Sequence, residues 1–110
     1  MSDTRTFETG AVRSTDADGV RFDLITPIGL RRLAEVYQIG AKKYGEYNWE
    51  KGFPESSLIN HALRHIYLYL QNDKSEDHLT HASWNLLTLI HFSEIRPDLL
   101  DIQKRFQNEH

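Results

Sequence analysis

The sequence predicts an all-α domain, a small bundle of three main helices with a fourth at the C-terminal end. Three observations carry this. Apolar residues recur three and four apart over residues 26–45, 56–72 and 75–95, the period of an amphipathic helix. No stretch alternates apolar and polar residues long enough for a strand. Helix-start residues stand at the head of each periodic segment: Thr26-Pro27, Ser56-Ser57, Ser75 and Pro97-Asp98. A chain of 110 residues reads as a single domain, 1–110.

Residues 1–22, "MSDTRTFETGAVRSTDADGVRF", are polar and turn-rich without either period, so an irregular segment is expected. Val20 to Ile25 is expected to run extended and packed on the body. The first helix, "TPIGLRRLAEVYQIGAKKYG", has Thr26 as cap and Pro27 in its first turn. Leu30, Leu33, Ala34, Tyr37 and Ala41 form its expected apolar face, Gly40 allows a close backbone approach, and Gly45 ends it. The loop "EYNWEKGFPESS" carries Trp49 and Phe53, aromatics expected to tuck into the body because exposing them is costly.

The second helix, "SSLINHALRHIYLYLQN", is capped by Ser56 or Ser57 and buries Ile59, Ala62, Leu63, Ile66 and Leu70. His61, His65 and Leu68 form its second face. The third, "HLTHASWNLLTLIHFSEI", follows Ser75 as cap. It places Leu79, Ala82, Leu86 and Ile90 on one side, with Trp84, Leu87 and Phe92 elsewhere. Leu99, Ile102 and Phe106 mark a short last helix from Pro97. Helices this few leave apolar faces uncovered, so a homodimer completing the bundle is expected.

Composition narrows the function classes. The absence of cysteine excludes disulfides, thiolate metal sites and a thiol nucleophile. A net charge of −3, from 13 basic and 16 acidic residues, is not the footprint of a duplex nucleic-acid binder. No apolar run approaches the roughly 18 residues of a membrane span, and a soluble cytoplasmic protein is expected. A small anion held by local Arg and Lys side chains remains open.

The third helix carries His78, His81, Asn85 and Thr88 in one row. Buried there without partners, each would cost about 1–3 kcal/mol. The row is therefore an internal hydrogen-bond network or the wall of a site. Glu76 and Asp77 in the first turn suit the helix dipole. His61 and His65 lie one turn apart, and with Glu35, Asp77 and His81 they could hold a divalent ion, Mg²⁺ or Mn²⁺ suiting phosphates best. Asp77, His81 and His65 are the candidate catalytic groups. The fork of Arg64 suits a phosphate, unless it pairs with Glu76 or Asp77. Lys43, Tyr44, Asn48 and Trp49 could hold a phosphate and a stacked base, or be a solvated helix end. Glu35 either pairs with Arg31 or faces the site.

In order, "FETGAVR", "RFDLITP", "GAKKYGEYNWEKG", "LRH" and "EDHLTHASWN" resemble a phage and prophage domain family, the N-terminal domain of dATP/dGTP diphosphohydrolase. The resemblance runs from about Phe7 to Phe92. It implies a helical protein of deoxynucleotide metabolism, and it adds Arg21, His78 and Asn85 to the expected nucleotide contacts. MazG-like all-α pyrophosphohydrolases, the nearest catalytic pattern, hold Mg²⁺ with paired glutamates. This chain has no Glu-x-x-Glu or Glu-x-x-Asp, and no His-Asp dipeptide of the HD phosphohydrolases. Three readings stay open: a metal-dependent pyrophosphohydrolase of purine deoxynucleoside triphosphates, a non-catalytic nucleotide-binding or sequestering protein, and a helical protein-interaction module.

Overall fold

The computed structural model describes residues 4–15 and 18–108. Four helices dominate: α1 (Pro27–Tyr44), α2 (Glu55–Leu70), α3 (His78–Ile95) and α4 (Asp101–Asn108). Single 3₁₀ turns precede α1 at Phe22–Leu24, join α1 to α2 at Asn48–Lys51, and precede α4 at Pro97–Leu99. Among the described residues no helix is long and apolar enough to cross a membrane.

The N-terminal segment differs from the irregular chain expected. Strands β1 (Thr4–Thr6) and β2 (Val12–Ser14) pair antiparallel, Thr4 opposite Ser14 and Thr6 opposite Val12. Phe7 N–H donates to Ala11 O at 2.8 Å, and Gly10 takes φ +90° in the turn, a region open to glycine. Strands of three residues are too short to show alternation, which is why the sequence hid them. The expectation for Val20–Ile25 also fails. Phe22–Leu24 is a helical turn rather than extended chain, and Phe22 is 76% exposed.

Helix α1 begins and ends as its sequence dictates. Thr26 Oγ1 accepts the Gly29 N–H at 3.2 Å, and Gly45 (φ +98°) donates its N–H to Ala41 O. Its buried side differs: Val36 is the buried residue, while Leu30 and Ala34 are exposed. Nothing lies within 4 Å of a Cβ built on Gly40, so no close approach occurs there.

The serine caps are displaced. Pro54, not Ser56 or Ser57, precedes α2, and the Ser56 N–H in the first turn is satisfied by Asp101 Oδ1 at 2.9 Å. Asp77, not Ser75, caps α3, its carboxylate accepting the Thr80 N–H at 3.4 Å. Ser75 N–H instead donates to Asp73 Oδ1 at 3.0 Å.

Helices α2 and α3 run antiparallel, His65 near the end of one meeting His78 at the start of the other. Leu58 and Ala62 of α2 and Ala82 and Phe92 of α3 form the apolar interior with Val36. His65, His78, Thr80, Asn85 and Thr88 are buried beside them. The expected faces Leu63–Ile66–Leu70 and Leu79–Leu86–Ile90 are exposed, Ile90 by 60%. Each lies about a quarter turn or more round from the buried side. In an antiparallel pair both rotate to the same side of the hairpin. Seen along the hairpin, that side is opposite the one His61 and His81 occupy.

Candidate functional site

A cleft of about 790 Å³ opens between α1, the loop after it, α2 and α3. Aromatic rings form one part of it. Tyr37 packs edge-on to Trp49, centroids 6.0 Å apart, and against Trp84 at 5.6 Å; Phe53 meets Trp84 at 6.1 Å. Trp49 is fixed from behind by His91 and Phe92. Trp49 and Phe53 are thus tucked in as expected. Tyr37 also shares a 3.2 Å hydrogen bond with Thr88 Oγ1.

The other part is polar. His78, 2% exposed, contacts Asp73 Oδ1 through Nε2 at 2.7 Å and His65 Nδ1 through Nδ1 at 2.9 Å. The Ser75 hydroxyl and His78 hold the Asp73 carboxyl well below the usual carboxylate range. An ionised Asp73 only accepts, so His78 Nε2–H donates to it, and His78 turns its Nδ1 toward His65. Burial, with His81 nearby, pushes His65 below the ordinary histidine value, so its ring is neutral at pH 7. One Nδ1 of the pair donates to the other, in a direction that the tautomers set. The His81 ring stacks on His65, centroids 4.9 Å apart and planes 16° apart. Asn85 Nδ2 donates to the His81 carbonyl at 2.9 Å.

Among the described residues no fully buried side-chain polar atom lacks a partner. In the polar row of α3, His78, Asn85 and Thr88 each have a hydrogen-bond partner while His81 stacks on His65, and His81 and Asn85 also line the cleft. One group could hold a cation: ligand atoms of His65, Glu76 and His78 lie within 4.8 Å of one another, the histidines buried and Glu76 exposed at the cleft.

Of the residues singled out in the sequence, Lys43, Tyr44, Asn48, Trp49, His61, His65, His81 and Asn85 line the cleft. His78 lies beneath it against His65. Others are engaged elsewhere. Glu35 pairs with Arg31 at 3.3 Å, and Arg21 with Asp23 at 2.6 Å. Asp77 accepts a two-pronged ion pair from Arg32, Nε to Oδ2 at 3.0 Å, which lowers its pKa to about 2. His61 Nδ1 contacts Ser57 O at 2.8 Å. Arg64 is exposed, and its pairing with Glu76 or Asp77 does not form among the described residues.

Sequence reasoning assigned no site role to Asp73 or Tyr37, and marked Glu76 and Trp84 only as positions of the motif "EDHLTHASWN". Asp73 lies in the turn between the second and third helices, and Tyr37 read as core. Glu76 read as a dipole residue of the first turn, yet it precedes the Asp77 cap.

No curated protein and no solved structure matches the chain. Residues 9–102 match the family model of the N-terminal domain of dATP/dGTP diphosphohydrolase, and the chain belongs to that family.

Proposed function

We propose that the protein is a metal-dependent pyrophosphohydrolase of purine deoxynucleoside triphosphates, forming the monophosphate and pyrophosphate. The observation that carries this reading is the meeting, in one cleft, of aromatic faces with a group able to hold a cation. The family description supplies the substrate class.

A bound divalent ion would supply an activated water at neutral pH and charge neutralisation at the phosphates. His65 and Glu76 are the cleft-lining residues of the group that would hold it. Trp49 and Tyr44 offer faces for the purine, a contact worth about 1–3 kcal/mol. Lys43 stands in the last turn of α1 and lines the cleft, where its ammonium suits the triphosphate. Arg64, exposed nearby on α2, can swing to an outer phosphate oxygen.

The absence of a Glu-x-x-Glu pair favours a second reading, in which the same cleft binds the nucleotide without turnover. Incubation with dATP or dGTP and Mg²⁺ or Mn²⁺ decides. Pyrophosphate release, lost in His81→Ala while the fold persists, supports hydrolysis. Saturable binding with no release supports the second reading, and no binding of either nucleotide removes both.

The exposed aliphatic side of α2 and α3 completes the proposal. Leu63, Leu70, Leu79, Leu86 and Ile90 are all exposed on this side, and clustered exposed apolar side chains mark interaction surfaces. The radius of gyration is 19.0 Å, against about 13 Å for a compact chain near this length. A second copy packing hairpin to hairpin would cover the patch. Sedimentation of the full chain as a dimer supports it, and a monomer at high concentration refutes it.

A further inference from the structure

We infer that His65, His78 and Glu76 bind a divalent first-row transition ion such as Zn²⁺, Co²⁺ or Mn²⁺, and that Asp73 is the residue that orients His78 for it. This specifies the metal of the proposed function. It depends on that reading only for what the ion does, not for whether it binds.

The donor set comes first. Two imidazole nitrogens with one carboxylate suit first-row transition ions, whereas Mg²⁺ takes oxygens and keeps its waters. The orientation of the donors is the second point. The Nε2 of His78 is occupied by Asp73 at 2.7 Å, so only its Nδ1 is offered inward. A carboxylate on the far nitrogen is the usual support of a metal-bound histidine, fixing its tautomer and raising its basicity. Asp73 is itself held by the Ser75 N–H at 3.0 Å and by the Ser75 hydroxyl, so the support is anchored in the turn before α3.

Spacing is the third point. The Nδ1 atoms of His65 and His78 stand 2.9 Å apart. Two nitrogens bound to one ion, each about 2.1 Å away, stand about 3.0–3.4 Å apart, the longer value for tetrahedral ligation, so the rings are within reach of one ion. An ion replaces the hydrogen bond between the rings once the shared Nδ1 proton leaves and each ring turns to aim its Nδ1 at a common point beside the present line between them. Access completes the geometry. His65 and His78 are buried, while Glu76 is exposed and lines the cleft beside His65. The ion would be gripped from the protein side and left open toward the cleft.

Calorimetric titration of the metal-free full chain, without nucleotide, tests this. Zn²⁺ and Co²⁺ are expected to bind at one ion per chain, with Mg²⁺ failing to saturate over the same range. The Co²⁺ visible spectrum should show nitrogen ligation that disappears in His65→Gln and in His78→Gln. Asp73→Asn, which leaves the three ligands in place, should weaken Zn²⁺ binding about 10–100-fold. Because both histidines are buried and their variants can fail to fold, Glu76→Gln on the exposed side gives the independent readout, a weaker Zn²⁺ site in a chain of unchanged circular dichroism. Mg²⁺ binding as tightly as Zn²⁺, or Zn²⁺ affinity unchanged in Glu76→Gln, overturns the assignment. Absence of pyrophosphate release alongside intact Zn²⁺ binding would count against the hydrolase reading alone.

Discussion

Glu55 and Asp101 cap each other's helices. Glu55 Oε1 accepts the N–H groups of Ile102 and Gln103 at 2.9 and 3.2 Å, in the first turn of α4. Asp101 Oδ1 accepts the Ser56 N–H in the first turn of α2. Helix N-termini leave such donors unsatisfied, and each carboxylate also sits at the positive end of the other's dipole. Glu55 is 7% exposed, so its loss is not made good by water. Glu55→Ala is expected to lower stability by about 1–2 kcal/mol and to raise amide exchange throughout α4 with α2 and α3 unchanged. Glu55→Gln, which keeps an acceptor, should recover much of this. Uniform exchange across all helices would refute the clasp.

The Arg32–Asp77 pair predicts an acid limb in the stability of the metal-free protein. The Arg32 guanidinium lowers the Asp77 pKa from 3.8 to about 2. A carboxylate depressed in the folded state contributes stability that is fully present above its unfolded value and lost as pH falls through its folded one. The window is therefore about pH 4 down to 2. Both side chains are partly exposed, so the contribution is about 1 kcal/mol at most. Arg32→Ala should remove this limb and move the Asp77 carboxyl back toward the ordinary range in an NMR titration. An unmoved titration would show that Arg32 is not the cause.

Nucleotide binding should be visible in tryptophan fluorescence, because Trp49 and Trp84 both line the cleft. Trp49→Ala is expected to weaken dATP binding about 10-fold, near the lower end of one base–aromatic stack. It will also cost stability, since Trp49 packs on Phe92. Trp49→Phe separates the two effects by keeping a stacking face. Equal affinity in wild type and Trp49→Ala would place the base elsewhere.

Thr88 and Tyr37 should be energetically coupled. Thr88 is 1% exposed and bonded to the Tyr37 hydroxyl. Thr88→Val and Tyr37→Phe are each expected to cost about 1 kcal/mol. The double variant should cost clearly less than their sum. Full additivity in urea unfolding would mean that the bond contributes nothing.

The helices were legible in the sequence; their orientation was not. Thr26, Pro27 and Gly45 act within a few residues of where they stand, so local chemistry identified both ends of α1. The buried side of α3 was misjudged because hydrophobicity ranked Leu79, Leu86 and Ile90 above His78, Asn85 and Thr88. Burial was decided instead by what each polar group could reach. Thr88 reaches Tyr37 across 51 residues, and Arg32 reaches Asp77 across 45; no periodicity encodes such pairs. The site was legible as residue types. His65, His81, Lys43 and Trp49, singled out in the sequence, line the cleft, while Glu35 and Asp77 pair with a local and a distant arginine that spacing did not rank.

The connection between α2 and α3 spans only residues 71–77. Surface turns ordinarily drift freely in length and composition. This one carries Asp73, bonded to the buried His78, and Glu76 of the His65–Glu76–His78 group. An inserted residue would shift Asp73 relative to the ring it supports and carry Glu76 along the cleft. A hairpin bend that looks expendable is therefore a measured spacer. Loop grafting, tag insertion or chain-splitting at this turn should disable the site while leaving both helices intact.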